Sequence, residues 1–130
     1  MAERTYHPKR GDLVHLNFSP SAGHEMADRH GELVSWGLVL SPVEYNRQSG
    51  MALVCAITSK SRGWPFEVSL PAGVLPAKAG AGVVPSVILA DAVRQVDYRY
   101  RDMAFVAKCP KDVMDEVVAK TLALIDPQLG

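Results

Sequence analysis

Glu25, Arg29 and His30 stand close together in a polar stretch, and Thr58 ends an apolar run further along the chain. These side-chain types meet the demands of metal-free RNA cleavage. A base must take the proton of a ribose 2′-OH, a cation must stabilise charge on the phosphorane, and an acid must protonate the leaving 5′ oxygen. Glu25 can serve as the base, Arg29 as the electrophile and His30 as the acid, with Thr58 donating to a phosphate oxygen. The same cluster is also compatible with an ordinary solvated loop of mixed charge.

A second group, Lys60, Arg62 and Trp64, lies in residues 57–68 (ITSKSRGWPFEV). If the segment is extended, the three share a face. Lysine and arginine neutralise phosphates and tryptophan stacks on a base, the usual combination for single-stranded nucleic acid. A basic turn followed by a tryptophan anchored in the core reads equally well. A third group comprises Arg94 with Tyr98, Arg99, Tyr100 and Arg101. Strand alternation there would put both tyrosines on one face and Arg99 and Arg101 on the other, either to follow a nucleic-acid backbone or to protect an edge strand. His7, His15 and His24 show no metal-ligand spacing, so neither a metal nor another cofactor is expected.

The elements that must position these residues are short. Residues 10–20 (RGDLVHLNFSP) alternate as a strand, with Val14, Leu16 and Phe18 on one side and Leu13, His15 and Asn17 on the other. Residues 23–35 read as a long polar loop of the kind that carries function. Residues 36–40 form a short apolar run, and a helical turn begins at Pro42. Residues 51–58 (MALVCAIT) read as a strand buried on both faces, and residues 65–70 alternate again. Residues 71–85, rich in glycine, alanine and proline, form a loop insertion. Short strands follow at 86–90, 93–96 and 103–107, separated by Asp91 and by the DYRYRD segment. Many short strands at close intervals indicate a mainly β fold, a small barrel. Residues 111–125 form a helix, with Val113, Val117, Thr121, Leu122 and Ile125 recurring at helical spacing and Glu116 paired with Lys120.

The 130 residues, 48% of them hydrophobic, suit a single domain spanning 1–130, with residues 1–9 as a flexible N-terminus. Lys+Arg and Asp+Glu are both 14, so no overall field drives binding to polyanions and any such site is a local patch. The chain shows neither a signal sequence nor an apolar run long enough to span a bilayer, so a cytoplasmic protein without a membrane partner is expected. Cys55 and Cys109 fit buried thiols rather than a disulfide or zinc framework.

Read in order, Gly11-Asp12-Leu13-Val14, Asn17-Phe18-Ser19-Pro20, Gly23 with Glu25, Val39-Leu40-Ser41-Pro42, Tyr45-Asn46, Gly50-Met51, Thr58, Gly63-Trp64-Pro65-Phe66-Glu67-Val68 and Leu89-Ala90-Asp91 resemble the MazF/PemK family of toxin endoribonucleases. The resemblance covers most of residues 10–125. It implies an SH3-like barrel of the MazF/CcdB type with a C-terminal helix, a homodimer, and metal-independent cleavage of single-stranded RNA that leaves a cyclic phosphate and a 5′-OH. It also implies a cognate antitoxin whose disordered tail wraps the toxin. The family's loop glutamate falls on Glu25 and its catalytic threonine on Thr58, residues 23–35 become the active-site loop, and Asp91 becomes a supporting residue at the RNA.

The family's arginine directly precedes a proline, whereas Ser35-Trp36 stands at those places here. Counting forward from Gly23 puts that arginine on His30, one residue past Arg29. Three possibilities stay open: Arg29 is presented by a local shift, His30 has taken the role, or the site is impaired. The assignment adopted is Arg29 with His30 beside it. Two alternative functions follow from the same frame. One is a CcdB-like gyrase poison, whose exposed tryptophan-containing tail has no counterpart in Pro127-Gln128-Leu129-Gly130. The other is an RNA-binding homologue with impaired catalysis.

Overall fold

A computed structural model of the chain describes residues 6–16, 36–75 and 86–130. The elements are β1 (Asp12–His15), β2 (Trp36–Val39), α1 (Val43–Ser49), β3 (Met51–Thr58), β4 (Glu67–Leu70), β5 (Ser86–Asp97), β6 (Ala104–Lys108) and α2 (Lys111–Ile125). All six strands join one antiparallel sheet in the order β4-β5-β3-β2-β1-β6. The fold is therefore mainly β, a curled half-barrel with a C-terminal helix, as the sequence pattern indicates.

Strand β3 shows how the sheet curls around two cores. Ala52, Val54 and Ala56 point to one face, into a cluster with Val14, Leu16, Val39, Val96 and Tyr98. Cys55 and Ile57 point the other way, into a cluster with Leu13, Leu38, Val68, Ile88 and the helix residues Val113 and Val117. Period-two alternation thus places apolar side chains on both faces, which is why MALVCAIT reads as a continuous apolar run. Cys55 is fully buried, and burial, only partly offset by a hydrogen bond with Thr121, pushes its thiol up to about 12.

Helix α2 has the bounds its periodicity indicates, but its apolar stripe is buried only in part. Val113 and Val117 are inside, worth about 1.5–3 kcal/mol each, whereas Ile125 is 74% exposed. Further along the helix, polar contacts take over. Thr121 Oγ1 donates to the Ala90 carbonyl at 2.9 Å, and Lys120 Nζ donates to the Glu67 carbonyl at 2.9 Å. Lys120 also pairs with Glu116 at 3.3 Å, as the (i, i+4) spacing indicates.

Three sequence expectations are corrected. Residues 86–90 and 93–96 are one strand, β5, not two. Ile57 pairs with Ile88 and Cys55 with Val93, so residues 89–92 bulge opposite Ala56 alone. This bulge contains Asp91, and beyond it Ile88 and Val87 pair with β3 on one side and β4 on the other. The DYRYRD segment is a turn, closed by Asp102 at φ 54. Strand alternation therefore fails there: Tyr98 is 2% exposed beside Tyr100 at 71%, and Arg101 is buried.

Finally, residues 6–9, expected to be flexible, are tied to the barrel. Tyr6 Oη donates to Asp12 Oδ2 at 2.5 Å, the Lys9 N–H donates to the same oxygen at 3.0 Å, and Lys108 Nζ donates to Oδ1 at 3.0 Å. His7 Nδ1 meets Tyr98 Oη at 3.0 Å. Because Tyr98 Oη donates to the Asn46 carbonyl, the imidazole must be the donor in that contact.

The Tyr45-Asn46 pair is structural. Asn46 is fully buried in α1. Its Nδ2 donates to the carbonyls of Pro8 (2.8 Å) and Ser41 (3.1 Å), and its Oδ1 accepts from Ser41 Oγ at 2.5 Å. Gly50 then ends the helix at φ 74, a left-handed conformation glycine adopts without strain, and its N–H returns to the Asn46 carbonyl.

Candidate active site

Thr58 is the last residue of β3, half-buried and paired with Val87. Its Oγ1 accepts the Lys60 N–H at 3.1 Å. A hydroxyl that accepts in this way keeps its own proton to donate, the role required toward a phosphate oxygen.

Two aromatic residues flank this row of the sheet. Trp36 pairs with Ile57 on one side and with His15 on the other. The His15 and Trp36 rings pack edge to face at 4.9 Å and 75°. Sequence reading treats His15 as an ordinary strand residue; the cross-strand register that brings it to Trp36 is invisible without the pairing. The chain leaves β1 at His15 and re-enters at Trp36, one pairing step from Thr58. Glu25, Arg29 and His30, in the stretch between, lie outside the described residues.

Beyond Thr58 the chain forms a loop to β4 that carries Lys60, Arg62 and Trp64, all exposed. Trp64 is 38% exposed, not a core anchor, and its ring meets Phe66 edge to face at 5.1 Å and 79°. An aromatic ring braced on a neighbour while still partly open can stack a base. Thr58, Lys60, Arg62 and Trp64 thus occupy one continuous segment at one end of the sheet.

Glu67, which sequence reading notes only as part of the Gly63–Val68 block, organises this loop. Its carboxylate accepts from Ser61 Oγ (2.8 Å), the Arg62 N–H (2.9 Å) and the Gly63 N–H (3.3 Å). Burial acts to raise its pKa. The Arg62 N–H, the Ser61 hydroxyl and the Gly63 and Trp64 N–H groups outweigh that effect, and the carboxyl ends below its ordinary range. The sign follows: these bonds are fully made above the ordinary carboxylate range and are lost as pH falls through the lowered value.

The remaining candidates stand apart. Asp91 is half-buried in the β5 bulge. Arg94 is exposed and opposite Val54, so along β3 it is four residues, about 13 Å, from Thr58. Arg94 is not brought to the Thr58 end. Among the described residues no group of histidine, cysteine, aspartate or glutamate side chains could hold a metal ion, and no helix is long and apolar enough to cross a membrane.

A family model described as PemK-like, MazF-like toxin of type II toxin-antitoxin system matches residues 9–125. The chain belongs to this family. It is 33% identical over 120 residues to the endoribonuclease toxin MazF of Escherichia coli K12, covering 92% of this chain and 96% of that one. The fold matches crystal-structure MazF from Deinococcus radiodurans with a TM-score of 0.73 at 42% identity, over 93% of this chain and 98% of the other. A MazE–MazF complex from the same organism matches at TM-score 0.72 and 38% identity, over 94% and 98%. The PemK/MazF resemblance carried by the ordered motifs is thereby established, and with it the toxin class and the fold.

Proposed function

We propose that this PemK/MazF toxin is an endoribonuclease that cleaves single-stranded RNA, messenger RNA included, at short sequences without a metal, by attack of the 2′-OH to give a cyclic phosphate and a 5′-OH. The observation that carries the reading is the Thr58 hydroxyl, positioned by the Lys60 N–H at the sheet end where the basic, aromatic loop begins. Glu25 is the base, Arg29 the cation at the phosphorane and His30 the acid. Lys60 and Arg62 meet phosphates, Trp64 stacks a base, and Asp91 and Arg94 extend the RNA surface. The relatives' names, endoribonuclease toxins MazF and ChpB, support the same activity.

The protein acts in the cytoplasm, as a homodimer, and is held inactive by a cognate antitoxin with a disordered tail. The MazE–MazF complexes among similar structures support an antitoxin partner. The test is incubation of antitoxin-free protein with mixed-sequence single-stranded RNA in EDTA, with the product ends mapped. Discrete cuts with 5′-OH ends are the expected result; intact RNA from folded protein overturns the reading.

The same assay addresses the displaced arginine. A guanidinium contacts two phosphate oxygens at once and an ammonium does not, so Arg29→Lys and Arg29→Ala should both lower cleavage by about tenfold or more, the scale of a lost bidentate contact. Full activity in both variants removes Arg29 from the mechanism and leaves His30 as the candidate.

A further inference from the structure

The Glu67 carboxylate reaches back over the loop that precedes it and closes that loop from inside. Its Oε2 takes the Arg62 N–H, and its Oε1 takes the Ser61 hydroxyl and the Gly63 N–H. Gly63 sits at φ 71, the left-handed conformation that turns successive N–H groups toward a common point. Such a concavity ordinarily receives an anion; here the anion is the protein's own. The Glu67 backbone is itself fixed on both sides. Its N–H donates to the Trp64 carbonyl at 3.1 Å, and its carbonyl accepts Lys120 Nζ from α2.

We propose that Glu67 is a positioning residue for RNA: by filling the loop's N–H concavity it fixes where the Arg62 and Trp64 side chains stand, and so sets substrate affinity while leaving the chemistry at Thr58 unchanged. The proposal deepens the ribonuclease reading and rests on it. Two physical consequences support it. With the N–H groups occupied, phosphates meet side chains rather than loop backbone. With the loop held before RNA arrives, less ordering is needed on binding.

The test uses Glu67→Gln in the full chain. Glutamine keeps the size and one acceptor oxygen but turns an NH2 group toward the N–H donors. Freeing two side chains that must be re-ordered on binding raises KM by about tenfold, with kcat within about twofold of the parent. In the parent, the Arg62 and Gly63 amide resonances titrate together at a midpoint below the ordinary glutamate range, and the variant lacks this step. A fluorescent mixed-sequence 2′-O-methyl RNA pool, which cannot be cut by 2′-OH attack, reads affinity separately from cleavage.

Parent that cleaves, with a variant equal to it in KM, pool affinity and amide titration, overturns the positioning role and leaves the ribonuclease reading standing. A variant that loses kcat with KM unchanged also overturns it. Parent that binds the pool without cleaving RNA, with weaker binding by the variant, overturns the ribonuclease reading and retains Glu67. Binding by neither protein overturns both.

Discussion

Thr58→Ala is expected to cut RNA cleavage about 10²–10³-fold while leaving the fold intact, the usual cost of removing one donor to a developing charge, ~2.7–4 kcal/mol. The hydroxyl is half-buried at a strand end, where it accepts the Lys60 N–H. Removing it therefore loosens one turn bond and creates no large cavity. Two readouts separate chemistry from folding. The melting temperature should stay within a few degrees of the parent, since surface-type changes away from the core cost within about 0.5 kcal/mol. Affinity for uncleavable RNA should remain near the parental value, because Lys60, Arg62 and Trp64 are untouched. Parental cleavage by the variant would falsify the assignment of Thr58.

Asn46→Ala carries the largest expected loss of stability. Its amide satisfies three partners in a fully buried site: the Pro8 and Ser41 carbonyls and the Ser41 hydroxyl. Alanine leaves all three without their partner, at about 1 kcal/mol each, roughly 3 kcal/mol in total. For a domain of this size that lowers Tm by about 10 °C. The damage spreads along the network, because Pro8 belongs to residues 6–9, which are held to the barrel by the contacts of Tyr6, His7 and Lys9. Thermal unfolding followed by circular dichroism measures it; a shift under about 3 °C would show that water replaces the amide at little cost.

These two residues show what a sequence can and cannot disclose. Thr58 is legible because it closes a run of apolar residues whose length and composition already specify a buried strand. Asn46 is legible only as part of a motif: its partners lie at Pro8 and Ser41, and the first of these is 38 residues away. Helix α2 is read to its exact bounds because local periodicity and the flanking prolines define it. Strand β5 is read as two pieces because Asp91 interrupts the apolar pattern, and a bulge across which the β3 ladder resumes has no local signature. Tyr98 is misplaced for a related reason. Its burial depends on Asn46 and His7 accepting and supplying its hydrogen bonds, not on the alternation around it. The Glu67 contacts escape sequence reading because a carboxylate that folds back over its own loop needs the backbone reversal at Gly63, and residue types alone do not reveal it.

The pairing of β1 with β6 has a consequence for how the protein is made. Lys108 and Asp12 are 96 positions apart, so the first strand of the sheet waits for one of the last. Contacts of such long range form late and slowly. On the ribosome, β1 lacks its outer neighbour until β6 has emerged, and α2, which covers the second core and grips the β5 bulge and the start of β4, follows later still. A nascent chain therefore has no completed ladder on the outer side of β1 until residues 104–108 have been made, and the first core stays open along that side in the interval.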